Sequence, residues 1–138
     1  MVKGNKTFVE AEKSCKNLGG HLASVHNAFD NMLVNDYARN FFGVSDSYYI
    51  GGNDVSQKNE WQWTDGTPFD FTDYETPYTN GDYLDCLQVI TDHGAWRRVD
   101  CYSGANYCCT IPKSHKEDQE SSTNLQKLCR RLGLHLCS

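Results

Sequence analysis

No stretch of this chain approaches the roughly 18 apolar residues that a membrane span requires, and its opening MVKGNKTFVEAEKSC holds no apolar run of the signal-peptide kind. Phosphate loop, nucleophile elbow and zinc motif are all missing, although Ser, His and Asp occur. Cys108-Cys109 is a doublet, not a CxxC, and His21, His26 and His93 lack metal-type spacing, so they read as surface or core histidines. These absences argue against an enzyme and give no reason to expect a cofactor. Positive charge is scarce where it would matter: residues 1–112 carry 8 Lys and Arg against 15 Asp and Glu, whereas residues 113–138 carry 5 against 3. An acidic body of this kind is a poor partner for nucleic acid or an anionic membrane, because phosphate binding depends on clustered Lys and Arg. No internal repeat is visible.

The 138 residues are one domain's worth, long enough to bury a core. Cysteine, in contrast, is plentiful. Seven residues of it point to an oxidising compartment, and the odd count leaves at least one unpaired within the chain. Spacing alone does not give the connectivity.

Thr7-Phe8-Val9-Glu10 has the spacing of a capping box, and Phe8, Ala11, Cys15 and Leu18 recur at helical intervals before Gly19-Gly20. A second helix starts at Asn27 as its cap, puts Phe29, Met32, Leu33, Tyr37 and Phe41 on one side, and stops at Gly43. Beyond Tyr48 the chain is aromatic and punctuated by Gly, Asp and Asn, which suits short strands at 48–50, 61–63, 87–90, 95–99 and 106–111, separated by long loops. From Lys113 to Asn124 a polar run without apolar anchors reads as a disordered linker. Leu125, Leu128 and Leu132 then form a stripe with Lys127, Arg130 and Arg131 beside it, too short to hold a helix alone. Residues 113–138 are therefore expected to be dispensable for the fold, with Cys129 or Cys137 available for a disulfide-linked dimer. Asn5-Lys6-Thr7 is a glycosylation sequon, usable at Asn5 in the secretory pathway.

In order, KTFVEAEKSCKNLGGHLASV, YYIGG, EWQWTDGTPFDF, DYLDCLQV, GAWRRVDC and NYCCTI resemble the C-type lectin-like domain family over residues 5 to 111. The resemblance implies an α+β fold, two helices flanking small antiparallel sheets with a long-loop region for binding. It also implies disulfides between Cys15 and Cys109 and between Cys86 and Cys101, leaving Cys108 outside on the opposite face of the last strand. The family opens with a further strand before the first helix, whereas only six residues precede Thr7 here. The expectation is therefore a domain at residues 1–112 lacking its signal and first strand, with part of 106–111 left as an unpaired edge.

Sugar-binding members of that family hold calcium with a Glu-Pro-Asn motif, a Glu two residues before the third cysteine, and a Trp-Asn-Asp motif. The corresponding positions are Thr76-Pro77-Tyr78, Leu84 and Trp96-Arg97-Arg98, so all five side-chain ligands are replaced. Calcium takes six to eight oxygen ligands, and arginine offers none. Glu75, Asn80, Asp82 and Asp85 are acceptors nearby, so displaced ligation is the rival reading. Trp61, Trp63 and Trp96 are expected in the core. Tyr74, Tyr78 and Tyr83, with Phe69 and Phe71, are divided evenly between an interface and loop packing. Arg97 and Arg98 are expected to pair with Asp82 or Asp85, or to face an acidic ligand. The expected function is non-catalytic recognition of a protein or carbohydrate, without calcium, through Tyr74, Glu75, Tyr78, Asn80, Asp82, Tyr83, Arg97 and Arg98, in a secreted or extracellular setting. The alternatives are a calcium-dependent lectin using Glu75 and Asn80, and a truncated isoform without independent binding activity.

Overall fold

In the computed structural model, which describes residues 1–75 and 84–112, Thr7 caps the first helix as the sequence predicts. Its hydroxyl accepts from the Glu10 N–H at 3.3 Å while the Glu10 carboxylate accepts from the Thr7 N–H at 3.0 Å. Such caps contribute about 1 kcal/mol. Helix α1 (Phe8–Asn17) buries Phe8, Ala11 and Cys15 on one side. Gly20 follows where only a glycine fits, because a Cβ there would come within 2.0 Å of the Thr110 carbonyl oxygen.

Helix α2 (Ala28–Phe42) also has its expected caps: Asn27 accepts from the Asp30 N–H at 2.8 Å, and Gly43 closes the end with φ of 113°. The inward face differs from the one its apolar residues suggest. Asn31, Val34, Asn35 and Ala38 are buried, whereas Phe29, Met32 and Phe41 are exposed. Two asparagines can face inward because each is satisfied there. Asn31 accepts from the Trp96 indole N–H at 2.9 Å and donates to the Gly94 carbonyl, and Asn35 donates to the Thr91 carbonyl and accepts from the Tyr48 hydroxyl.

The strands are β1 (Val2–Lys6), β2 (His21–Leu22), β3 (Ser47–Asn53), β4 (Gln62–Trp63), β5 (Asp85–Ile90), β6 (Trp96–Asp100), β7 (Ala105–Tyr107) and β8 (Cys109–Thr110). The main sheet runs β1-β7-β3-β5-β6 with β4 against β3, and β2 pairs with β8 in a second, two-stranded sheet. All pairings are antiparallel except β3 with β7. The single strand expected over 106–111 is divided at Cys108. The Cys108 N–H donates to Tyr49 and its carbonyl accepts from Ala23, so the chain passes there from one sheet to the other.

Period-2 geometry sorts the interior into two clusters. Tyr48 and Ile50 of β3, Leu87 and Val89 of β5, and Cys108 enter the first, with Trp63 and Trp96. Tyr49, Cys86, Tyr107 and Cys109 face the second, which lies under α1. The same alternation decides the doublet: Cys109 bonds Cys15, Cys86 bonds Cys101, and Cys108 stays a buried free thiol whose pKa burial pushes up.

The expectation of an unpaired edge within 106–111 is corrected. β1 precedes α1 and pairs antiparallel with β7, Val2 opposite Tyr107 and Lys6 opposite Ala105, while the Gly4 N–H donates to the Asn106 side chain at 3.1 Å. Tyr107 is thus flanked by β1 and β3, and Cys109 and Thr110 are paired with β2, so no unpaired edge is left at these positions. The segment escaped notice because VKGNK buries little: after Val2 every residue is exposed, and pairing rests on the backbone.

Candidate functional site

The long-loop face begins at the turn after β4. Asp65 and Gly66 close it, and Phe69, Phe71 and Tyr74 then fold back onto the tryptophans. Phe69 lies 4.9 Å from Trp63, Phe71 5.6 Å from Trp96 and Tyr74 6.2 Å from Trp96 between ring centroids. These three aromatics pack the loop down; they do not form an open interface. Tyr78 and Tyr83 lie outside the described residues, as do Thr76, Pro77, Asn80 and Asp82. Backbone bonds continue the anchoring: the Trp96 N–H donates to Asp73 at 2.7 Å and the Glu75 N–H to Trp96 at 2.9 Å.

That bridge sets Glu75 beside the exposed end of β6. Arg97 Nε donates to the Glu75 carboxylate at 3.2 Å, and His93 Nε2 lies 3.5 Å from its other oxygen. One residue on, the pleat turns Arg98 to the opposite side. There it forms an ion pair with Asp85, both side chains being only 12% exposed, and its guanidinium stacks over Trp61 at 5.5 Å from the ring centroid. Asp85 sits where β5 begins, its N–H donating to the buried Asp54 carboxylate. The expected pairing of Arg98 with Asp85 is present; Arg97 pairs with Glu75, and Asp82 lies outside the described residues.

Calcium does not fit the described part of this site. Leu84 is apolar, two guanidinium groups stand where the resemblance puts an amide and a carboxylate, and the acceptors Glu75 and Asp85 are each engaged by one of those arginines. Among the described residues no group of three or more His, Cys, Asp or Glu could hold a metal ion.

The Arg97 hydrogen bond holds the Glu75 carboxyl below the ordinary glutamate range, with the Arg97 and His93 charges acting in the same direction. A carboxyl held low in the folded state favours the fold above the ordinary glutamate range and loses that contribution as pH falls through its folded value. Carbon-detected NMR is expected to show the Glu75 side chain titrating below the ordinary glutamate range, and Arg97→Gln to move the midpoint upward. An unmoved midpoint would mean that the pair does not form in solution.

Sequence spacing gave no sign of two further constellations. His93 joins Glu75 from the β5–β6 turn, and beside it Asp36, Arg39 and Asp73 line a polar cleft of about 260 Å³ against α2. Separately, His26 lies 2.8 Å from Asp70 and 3.1 Å from the Ser24 hydroxyl, in the order of a hydrolytic triad. Ser24, however, gives its proton to Asp65 at 2.6 Å. The hydroxyl is thus a strap holding the 65–70 loop, not a nucleophile activated by a base. Asn5, the sequon residue, is exposed on β1 with its amide oxygen against Gly104.

The sequence profile of the Lectin C-type domain matches residues 4–111. C-type lectin domain family 4 member D of Homo sapiens is 31% identical over 114 residues, 78% of this chain and 51% of that protein. The type-2 ice-structuring protein of Brachyopsis segaliensis is 35% identical over 85 residues, 62% of this chain and 47% of its own. The chain thus spans about half the length of these curated relatives. In three dimensions it is similar to the crystal structure of a calcium-independent type II antifreeze protein, with a TM-score of 0.65 and 29% identity over 78% of this chain and 80% of the other.

Proposed function

Because the chain belongs to the Lectin C-type domain family, whose members are binding modules and not enzymes, we propose that it recognises a protein or carbohydrate ligand through its long-loop face without calcium. The ligand-binding set we assign is Glu75 and Arg97, exposed beside β6, with Tyr78, Asn80, Asp82 and Tyr83 from outside the described residues; Tyr74 and Arg98, which pack inward, support that face from beneath. One observation carries the reading: Arg97 with Glu75 and Arg98 with Asp85 put ion pairs where sugar-binding members hold a metal. The similarity to the fold of a calcium-independent type II antifreeze protein supports the same reading. Arg97, half exposed, and the cleft beside His93 offer donors and acceptors to sugar hydroxyls or to a protein's backbone and acidic side chains.

The setting we assign is secreted or extracellular, in keeping with two disulfides, and Asn5 is the place for a glycan. Among the described residues no helix is long and apolar enough to cross a membrane. Cys129 and Cys137, outside the described residues, are the positions through which a covalent dimer would form.

A glycan array and a panel of extracellular protein ligands, each probed with and without a calcium chelator, test the proposal. Binding is expected to be equal in both conditions and to fall at least about tenfold in Arg97→Glu, the factor of one lost charge-assisted contact. Binding abolished by the chelator would favour displaced ligation through Glu75 and Asn80 instead.

A further inference from the structure

Outside the ligand-binding set, four exposed apolar side chains converge. Val9 of α1, Val55 after β3, Leu84 before β5, and Tyr102 after β6 line a cavity of about 430 Å³ whose floor is Cys101 of the Cys86–Cys101 disulfide. Tyr102 is 86% exposed. Its volume falls in the range of small-ligand clefts, roughly 300–1,000 Å³, and an open apolar concavity of this kind calls for an occupant.

We propose that this cavity receives the chain's own C-terminal stripe, Leu125, Leu128 and Leu132. The chain leaves the described fold at Pro112, immediately after Ile111, which packs on the same buried cluster as Cys101. Twelve residues then separate Pro112 from Leu125. A flexible linker of that length has a root-mean-square span of about 17–21 Å and a limit near about 40 Å, enough to cross the face of a domain this size. The tether holds the stripe at an effective concentration on the order of millimolar, so weak apolar contact suffices.

Charge selects the same occupant. Residues 125–138 carry Lys127, Arg130 and Arg131 with no acidic residue, whereas the body is acidic and Asp100 stands at the cavity rim. The stripe is too short to hold a helix by itself, and the cavity supplies the burial it lacks.

The test compares the full chain with its Leu125→Ser/Leu128→Ser/Leu132→Ser variant, both carrying Cys129→Ser and Cys137→Ser so that tail disulfides cannot join two chains. Hydrogen exchange read by mass spectrometry over residues 54–56 and 100–103 is expected to be about tenfold faster in the serine variant, as about 1.4 kcal/mol of tail contact gives. An apolar dye should fluoresce on the variant and not on the parent, and Val55→Asp should speed exchange in residues 125–132 equally. Identical exchange and dye binding in parent and variant would overturn the proposal, leaving the cavity to an external apolar ligand. Protection that grows with protein concentration would also overturn it, in favour of a second copy of the chain.

Discussion

Replacing Cys15 and Cys109 together with alanine is expected to destabilise the protein by about 4–5 kcal/mol, the largest effect of any pair of substitutions considered. The bond links positions 94 residues apart, tying α1 to β8. Chain-entropy estimates give about 4.7 kcal/mol for a loop near 100 residues and about 3 for the 15-residue loop closed by Cys86 and Cys101. At about 4 °C per kcal/mol for a domain of this size, the unfolding midpoint should fall by roughly 15–20 °C. Both sulfurs sit in the cluster with Phe8, Tyr49 and Tyr107, so the variant also loosens packing under α1. Circular dichroism on heating reads the shift. A midpoint within a few degrees of the parent would mean that β1, β7 and the β2–β8 pair hold the ends together without the bond.

The second large effect belongs to Asp85. Removing one partner of a buried ion pair costs about 3–5 kcal/mol, because the remaining charge keeps its desolvation penalty and loses the attraction that offset it. Arg98 is enclosed by Trp61 below and the β5–β6 ladder beside it, and Asp85→Ala takes away its carboxylate. Most of the loss should be recovered by adding Arg98→Met, since an apolar side chain of similar length needs no counter-charge. Urea unfolding of the three variants measures this. If Asp85→Ala alone lies within about 1 kcal/mol of the parent, the pair is not the buried support that its geometry indicates.

Much of the scaffold was legible because its signals are local. Thr7 with Glu10, Asn27 and Gly43 mark helix ends by chemistry that acts within one turn, and the order of cysteines and tryptophans carried the family resemblance. Where burial runs against composition, the sequence misled. Asn31 and Asn35 face inward because Trp96, Gly94, Thr91 and Tyr48 satisfy them, and those partners lie 13 to 65 residues away along the chain. β1 gave no apolar alternation to read, and its register depends on β7, a hundred residues on. At the site, the presence of Arg97 and Arg98 after Trp96 was visible in the sequence. The pairing of Arg97 with Glu75 was not, because it depends on how the loop before Glu75 is pinned to Trp96.

The proposal that this domain works without calcium is tested most directly by thermal unfolding in millimolar calcium and in chelator. A ligand bound only by the folded state raises stability by about 2.7 kcal/mol at a hundredfold excess over its dissociation constant. With Arg97 on Glu75 and Arg98 on Asp85, the two unfolding curves are expected to superimpose. An upward shift of several degrees in calcium, abolished by the chelator, would contradict the account.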